Sequence, residues 1–214
     1  MPAEANGGPT GVAAYYVDAS TSEAVRVGQD GSHEVLGNNL GGSPGIAVGS
    51  DGTVYVARSS DGNVYQMEAG QAAVEIAFST DIPEALDLAV DDAGTLYVAT
   101  EEDGVVKRLA DGTESVLKSD DISQYSSIAV GQDGVVYVLD RVNGSVNRMD
   151  PSGTSSTQVA ADPEVNEISY LSIDGQDRLY AGTATGTIYR ITQGSARRRW
   201  MRSPRPSGPR PTSR

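Results

Sequence analysis

The sequence predicts an all-β fold of repeated four-stranded antiparallel sheets, and three observations support this prediction. First, the 214 residues include 25 Gly and 10 Tyr but a single Phe, which favours turns and strands over long helices. Second, one motif recurs at a nearly constant interval. Third, the strands of this motif are apolar on both faces, so that each sheet needs cover on both sides. The blades of a β-propeller are covered in this way because they pack face to face around an axis.

The recurring motif consists of an apolar triplet, a Gly-containing turn and a strand with a tyrosine. Its four copies are "GIAVGSDGTVYVARSSDGNVYQM" from Gly45, "DLAVDDAGTLYVATEEDGVVKRL" from Asp87, "SIAVGQDGVVYVLDRVNGSVNRM" from Ser127 and "YLSIDGQDRLYAGTATGTIYRI" from Tyr170. The intervals between the motif tyrosines are 42, 40 and 43 residues, for Tyr55, Tyr97, Tyr137 and Tyr180. A period near forty that contains only strands is typical of propeller blades.

Each copy predicts four strands, a to d. Strand a is the triplet, and the Gly of the next turn provides the positive φ that a tight hairpin needs. Strand b contains the tyrosine. Strand c follows after nine, nine, nine and eight residues, from Val64, Val106, Val146 and Ile188. Strand d has the weakest pattern and is predicted at residues 73–76, 114–117 and 157–159.

The two ends of the repeat are less regular. Upstream, "AYYVDASTSEAVRVGQDGSHEVLG" predicts strands b, c and d of a first blade, with Tyr16 as its tyrosine and Val25 nine residues later. Downstream the pattern ends at Gly194, so the fifth blade is predicted to lack strand d. The predicted organisation is a disordered segment at 1–10, a propeller of about five blades at 11–194 and a disordered Arg/Pro-rich tail at 195–214. The alternatives for the ring are an incomplete six-bladed propeller and a five-bladed closure by partial pairing.

One copy, "PGIAVGSDGTVYVARSSDGNVYQ" at residues 44–66, resembles the NHL-type propeller repeat of bacteria, in which a "PxGIAVDxxGxVYVADxxNxRVxx" unit recurs. The resemblance extends over residues 11–194 and implies a propeller, commonly of six blades. It implies little about chemistry, because such propellers include sensor ectodomains, lactonases, lyases and protein-binding scaffolds.

Composition and charge narrow the function classes. The sequence contains no Cys, which excludes disulfides and thiolate metal sites, and no apolar run long enough to predict a membrane span. The first residues lack the features of a signal peptide. All 29 acidic residues precede Ser195, together with nine of the 16 basic ones, so the body has a net charge of −20 and the tail +7. An acidic body disfavours nucleic acid and suits cations, basic partners or neutral polar ligands.

The ligand site is predicted at one mouth of the propeller channel, where the d-to-a and b-to-c loops meet. The candidate residues are Asn38, Asn39, Asp81, Glu84, Asp87, Asp120, Asp121, Glu164, Asn166, Glu167 and Tyr170, and the same loops carry Arg58, Glu101, Glu102, Asp103, Arg141 and Asp162. Converging carboxylates would raise one another's pKa, and a cation or basic ligand would relieve that repulsion. The cofactor, if any, would therefore be Ca²⁺ or Mg²⁺. Ordinary solvated loops are the alternative interpretation.

Two other groups of residues are predicted to lie outside any site. The Asp-Gly pairs that begin at positions 30, 51, 111 and 133 lack the oxygen ligands of a calcium loop and predict turns. His33, the single histidine, is predicted on an outer strand d.

Lactonase propellers hold a metal with Glu, Asn and Asp, and virginiamycin B lyases rely on a channel histidine. The sequence matches neither pattern.

The function expected from the sequence is binding or sensing without catalysis, for a protein, peptide or carbohydrate ligand. The alternatives are a metal-dependent lactonase or lyase-type enzyme, and a truncated fragment without its own activity. An extracellular or cell-envelope location is expected if the propeller belongs to a larger sensor.

Overall fold

A computed structural model describes residues 12–18, 20–40, 45–58, 61–68, 73–78, 85–101, 103–131, 133–150, 152–161, 168–184, 186–191 and 201–202. All regular secondary structure in these residues is β-strand, in five antiparallel sheets. The sheets are the blades of a β-propeller, which confirms the predicted fold. In these residues there is no helix of the length and apolarity needed to cross a membrane.

Within the described residues, the first blade has three strands and each of the others has four, in chain order. The first blade contains β1 (Val12–Asp18), β2 (Glu23–Gly28) and β3 (His33–Gly37); the second contains β4 (Ile46–Val48), β5 (Val54–Ala57), β6 (Val64–Met67) and β7 (Val74–Glu75). The third contains β8 (Ala85–Val90), β9 (Leu96–Thr100), β10 (Gly104–Arg108) and β11 (Glu114–Leu117); the fourth contains β12 (Tyr125–Val130), β13 (Val136–Asp140), β14 (Ser145–Met149) and β15 (Ser156–Ala161). The fifth contains β16 (Ile168–Ile173), β17 (Leu179–Thr183), β18 (Ile188–Ile191) and β19 (Met201–Arg202).

The hairpin between strands b and c of the third blade is one residue shorter than predicted. Ala99 pairs with Val105, in the same way that Ala57 of the second blade pairs with Val64. Val105, and not Val106, is therefore the first motif residue of strand c. The tighter turn is accommodated by Gly104, whose φ is +99°.

The motif tyrosine of the first blade is Tyr15, so the prediction of Tyr16 was wrong. Tyr15 pairs with Arg26, the position that pairs with the motif tyrosine in the second, fourth and fifth blades. Its ring is 2% exposed and belongs to the apolar cluster shared with the second blade. Tyr16 points to the other face, where its hydroxyl lies 3.4 Å from His33 Nδ1.

The prediction that the fifth blade lacks strand d was also wrong. Two residues of the basic tail, Met201 and Arg202, pair with Arg190 and Tyr189 of β18 and form a short fourth strand. Sequence reasoning missed this strand because two residues carry no periodic pattern. The predicted boundaries at residues 10 and 194 remain predictions.

Four apolar clusters of described residues hold consecutive blades together, one between each successive pair. Val56, Val98 and Val138 are fully buried in these clusters. Burying a side chain of this size contributes about 1.5–3 kcal/mol. The strands are apolar on both faces because each inner blade packs against a neighbour on each side.

The connections of each blade alternate between two ends, because successive strands run antiparallel. We call the end with the d-to-a and b-to-c connections the mouth end, and the end with the a-to-b and c-to-d turns the turn end. The Asp-Gly pairs form turns at the turn end, as predicted. Asp51 Oδ1, for example, accepts a hydrogen bond from Thr53 N at 2.9 Å, and Gly52 has a φ of +87°.

Candidate functional site

The structure describes six of the eleven predicted ligand residues. Asn38, Asn39, Asp87, Asp120, Asp121 and Tyr170 lie within the described residues, whereas Asp81, Glu84, Glu164, Asn166 and Glu167 lie outside them, as do Glu102 and Asp162. The described part of the mouth end is therefore centred on the loop from the third to the fourth blade, residues 118–124, and on the first residues of strands a.

Buried hydrogen bonds fix the loop of residues 118–124. The hydroxyl of Tyr125, a residue that is 1% exposed, accepts a hydrogen bond from Ser119 N at 2.7 Å and lies 3.2 Å from Ser119 O. Ile122 is buried beneath the same loop. The backbone around Asp120 and Asp121 is thus held in place, while both of these residues are exposed to solvent.

A second anchor of this loop is Asp140, at the end of β13, which is fully buried. Its Oδ2 accepts hydrogen bonds from Ser123 N at 2.8 Å and from Asn143 Nδ2 at 2.7 Å. Its Oδ1 accepts two more, from Val142 N and Asn143 N. One carboxylate therefore joins the loop to the b-to-c hairpin of the fourth blade. A buried acid with four donors is best explained as structural.

Glu101 brings a further carboxylate to the same surface. It lies in the b-to-c hairpin of the third blade, is exposed, and accepts a hydrogen bond from Gln124 Nε2 at 2.8 Å. Tyr125 N also donates to Glu101 O at 3.2 Å. Glu101, Asp120 and Asp121 thus belong to one rigid assembly of two connections, which we call the acidic loop pair.

Asp87 lies apart from the acidic loop pair, on the innermost strand of the third blade. Its Oδ2 accepts hydrogen bonds from Ser127 Oγ at 2.7 Å and from Ile128 N at 3.0 Å, both in the fourth blade. Its Oδ1 accepts a third, from Leu88 N at 2.9 Å. Within the described residues, no hydrogen bond joins Asp87 to Asp120 or Asp121.

Burial raises the pKa of Asp87 to about 6, and its three hydrogen bonds oppose this rise. The residue keeps some accessible surface, although protein atoms surround its carboxylate. The sequence predicts a raised pKa from converging carboxylates. The direction is right, but the cause is desolvation rather than like charge.

Ser127 continues the contact to the fifth blade, because its Oγ accepts a hydrogen bond from Leu171 N at 3.0 Å. Asp87 and Ser127 therefore have the same role. Each accepts a hydrogen bond from a backbone N–H on the innermost strand of the next blade. These N–H groups face away from the ladder of their own blade and would otherwise be unpaired. Sequence reasoning missed Ser127, although it occupies the same motif position as Asp87.

The other predicted residues lie separately. Asn38 and Asn39 follow β3 and are exposed, and Asn39 has a φ of +61°, which asparagine tolerates better than most residues. Tyr170 lies on β16 and is 54% exposed. His33 is on the outer strand of the first blade, as predicted. No group of three or more potential metal-ligating side chains occurs among the described residues.

Comparisons with known proteins agree with the propeller fold. A family model described as "Strictosidine synthase-like, N-terminal" matches residues 170–191, which span strands a to c of the fifth blade. A virginiamycin B lyase from Staphylococcus aureus superposes with a TM-score of 0.64 at 14% identity, over 84% of this chain and 63% of the lyase. These likenesses confirm the propeller fold.

Two further propeller structures are similar. A nidogen/laminin complex matches with a TM-score of 0.74 at 14% identity, over 90% of this chain and 75% of that one. A putative gluconolactonase matches with a TM-score of 0.66 at 16% identity, over 86% and 73%. No curated protein sequence matches significantly. Likeness at these identities extends to the fold alone.

Proposed function

We propose that this propeller is a binding module that takes a basic protein or peptide segment on the acidic loop pair. The observation that carries the proposal is the combination of exposed carboxylates with an immobilised backbone. Glu101, Asp120 and Asp121 are held on connections that Tyr125 and Asp140 fix from below. A surface of this kind binds with little loss of loop entropy.

The mouth end also exposes uncharged side chains, which supports a peptide rather than a bare cation. Val142, in the b-to-c hairpin of the fourth blade, is 66% exposed, and Tyr170 is 54% exposed on the innermost strand of the fifth. Both lie at the mouth end. Exposed apolar and aromatic groups at the same end as exposed charges are typical of protein-binding surfaces. The net charge of −13 of the chain further attracts basic partners over a distance.

An enzyme is the second candidate, and Asp87 is the observation that favours it. A carboxyl group at the propeller axis with a pKa of about 6 has the property of a general acid or base. The similar structures include a virginiamycin B lyase crystallised as an inactive variant with quinupristin, and the putative gluconolactonase. The three hydrogen bonds of Asp87 instead support a structural role.

The binding proposal is tested with a labelled lysine decapeptide, by fluorescence anisotropy at low and at high salt. We expect saturable binding that weakens with salt, and no binding of a glutamate decapeptide. The double variant Asp120→Asn/Asp121→Asn should lose about tenfold in affinity and show a flatter salt response.

The matched control is Asp51→Asn/Asp92→Asn, which removes the same charge from exposed positions at the turn end. It should bind nearly as the unmodified chain does. Equal losses in both double variants would mean attraction to net charge without a site, and no binding at either salt would reject the proposal. Turnover of quinupristin or a gluconolactone that disappears in Asp87→Asn would favour the enzyme instead.

A further inference from the structure

A cavity of about 540 Å³ lies between the fourth and fifth blades, at the turn end. The a-to-b turns contribute Gly131, Asp133, Asp177 and Arg178 to its lining, and strands c contribute Arg148 and Arg190. The acidic loop pair is at the opposite end of the blades. The proposed function therefore makes no use of this cavity.

Basic side chains are concentrated at this cavity. The body has nine basic residues against 29 acidic ones, and three of the nine, Arg148, Arg178 and Arg190, line it. Arg178 is paired with Asp174, Nε to Oδ2 at 2.6 Å. None of the ion pairs among the described residues includes Arg148. Guanidinium groups that converge in an acidic protein indicate a site for an anionic group such as a carboxylate.

Two carboxylates lie in the same cavity. A Cβ atom added to Gly131 would be 2.9 Å from Asp133 Oδ1 and 3.0 Å from Asp177 Oδ1, so acids from two blades face one glycine. Asp133 Oδ1 also accepts a hydrogen bond from Val135 N at 3.1 Å. A positively charged group placed there would be attracted by both carboxylates.

The order of the strands separates Asp133 from Arg148, whereas Arg178 shares a turn with Asp177 and is paired with Asp174. Asp133 and Asp177 belong to turns between strands a and b, near the axis, whereas Arg148 lies on strand c, farther out. Adjacent strands are about 4.8 Å apart, so an ammonium and a carboxylate of one small molecule can reach both groups. Ile173 and Ile191 add apolar surface to the lining.

We propose that this cavity binds a zwitterionic small molecule of the amino-acid class with an apolar side chain. The ligand carboxylate lies at the guanidinium of Arg148, the ammonium lies at Asp133, and the side chain contacts Ile191. The volume is within the range of small-molecule pockets.

Three probes of similar shape test the two charges separately: L-leucine, 4-methylpentanoate without the ammonium, and 3-methylbutylamine without the carboxylate. Isothermal titration calorimetry should show saturable binding of L-leucine. Each analogue should bind at least about tenfold more weakly, because it leaves one set of charges unpaired. If no saturable binding of L-leucine is found, or if either analogue binds as tightly, the proposal is wrong.

Matched variants locate the site. Arg148→Gln should lower the affinity for L-leucine at least about tenfold. The variant should then bind L-leucine no more tightly than 3-methylbutylamine. Asp133→Asn keeps an acceptor for Val135 N, and this variant should bind L-leucine no more tightly than 4-methylpentanoate. Arg141→Gln removes the same charge from an exposed position at the mouth end of the fourth blade and should leave L-leucine binding unchanged.

Circular dichroism and the unfolding midpoint establish that each variant is folded. If Arg148→Gln does not fold, Arg148→Lys replaces it and should weaken L-leucine less, because the charge remains and the planar fork is lost. Unchanged affinity for L-leucine in a folded Arg148 variant would overturn the proposal.

Discussion

Replacing Ser127 with alanine should destabilise the propeller more at pH 8 than at pH 5. The substitution removes the donor to Asp87 Oδ2 and the acceptor of Leu171 N. The unpaired buried N–H costs about 1–3 kcal/mol at both pH values. The lost bond to a charged carboxylate adds about 1.5–3 kcal/mol, but only where Asp87 is ionised. We therefore expect a loss of about 2 kcal/mol at pH 5 and about 4 kcal/mol at pH 8.

The direction of the pH effect follows from the pKa of Asp87. This pKa is raised from 3.8 to about 6 in the folded state, so the native state holds the proton more tightly than the unfolded chain does. The contribution of Asp87 to stability is therefore greatest below pH 4 and decreases as the pH rises through 6, by roughly 3 kcal/mol. The hydrogen bond from Ser127 lowers the pKa of Asp87. Without the Ser127 hydroxyl, stability therefore decreases more steeply as the pH rises.

The assay is urea unfolding followed by circular dichroism at both pH values. Ser126→Ala is the control, because Ser126 Oγ donates to Leu139 O within the same blade. This variant should lose less than about 1 kcal/mol of unfolding free energy at either pH. In an Asp87→Asn background, Ser127→Ala should lose its pH dependence. A loss below about 0.5 kcal/mol, or equal losses at pH 5 and pH 8 in the unmodified background, would refute the reasoning.

Three simpler predictions follow from the fold. The far-ultraviolet circular dichroism spectrum should be that of an all-β protein, and a helical spectrum would contradict the propeller. Val138 is fully buried between the third and fourth blades, and Val138→Ala should lower the free energy of unfolding in urea by about 2 kcal/mol. Val142 is 66% exposed, and Val142→Ala should change it by no more than about 0.5 kcal/mol. Deleting residues 195–214 removes β19 and should cost about 1 kcal/mol by the same assay, because only two residues pair with β18; a loss several times larger would mean that the tail packs against the blade.

The blades could be predicted from the sequence because each contains its own local signals. Strands a and b follow from signals within one stretch of chain, namely the turn residues between them and the alternation around Tyr55, Tyr97, Tyr137 and Tyr180. In the fifth blade the predicted Gly does not have the positive φ, which belongs to Asp177 instead. No local signal shows whether Tyr15 or Tyr16 is the motif tyrosine of the first blade. Both residues fit the alternation, and only the pairing of Tyr15 with Arg26 decides between them. The two residues of β19 likewise have no pattern of their own.

The candidate site was harder to predict because its contacts cross blades. The partner of Asp87, Ser127, lies 40 residues away along the chain, at the same motif position of the next copy. Asp87 and Ser127 occupy one position of the repeat, and a comparison of these two copies would have suggested a shared role. Sequence reasoning instead grouped Asp87 with Asp120 by charge, and no hydrogen bond joins these residues in the described part of the chain.

The hydrogen bonds of that motif position also imply that the blades are not equally well connected. Asp87 bonds Ile128 N and Ser127 bonds Leu171 N, so the third, fourth and fifth blades are joined by polar contacts as well as by apolar clusters. Gly45 has no side chain with which to reach Leu88 N, and Asp87 of the same blade accepts that hydrogen bond instead. Opening between the second and third blades therefore leaves Leu88 N bonded, whereas opening between later blades frees Ile128 N or Leu171 N. Native-state hydrogen exchange of Ser127→Ala should accordingly show faster exchange at Leu171 and unchanged exchange at Leu88. Unchanged exchange at Leu171 would mean that the apolar clusters alone determine how the blades separate.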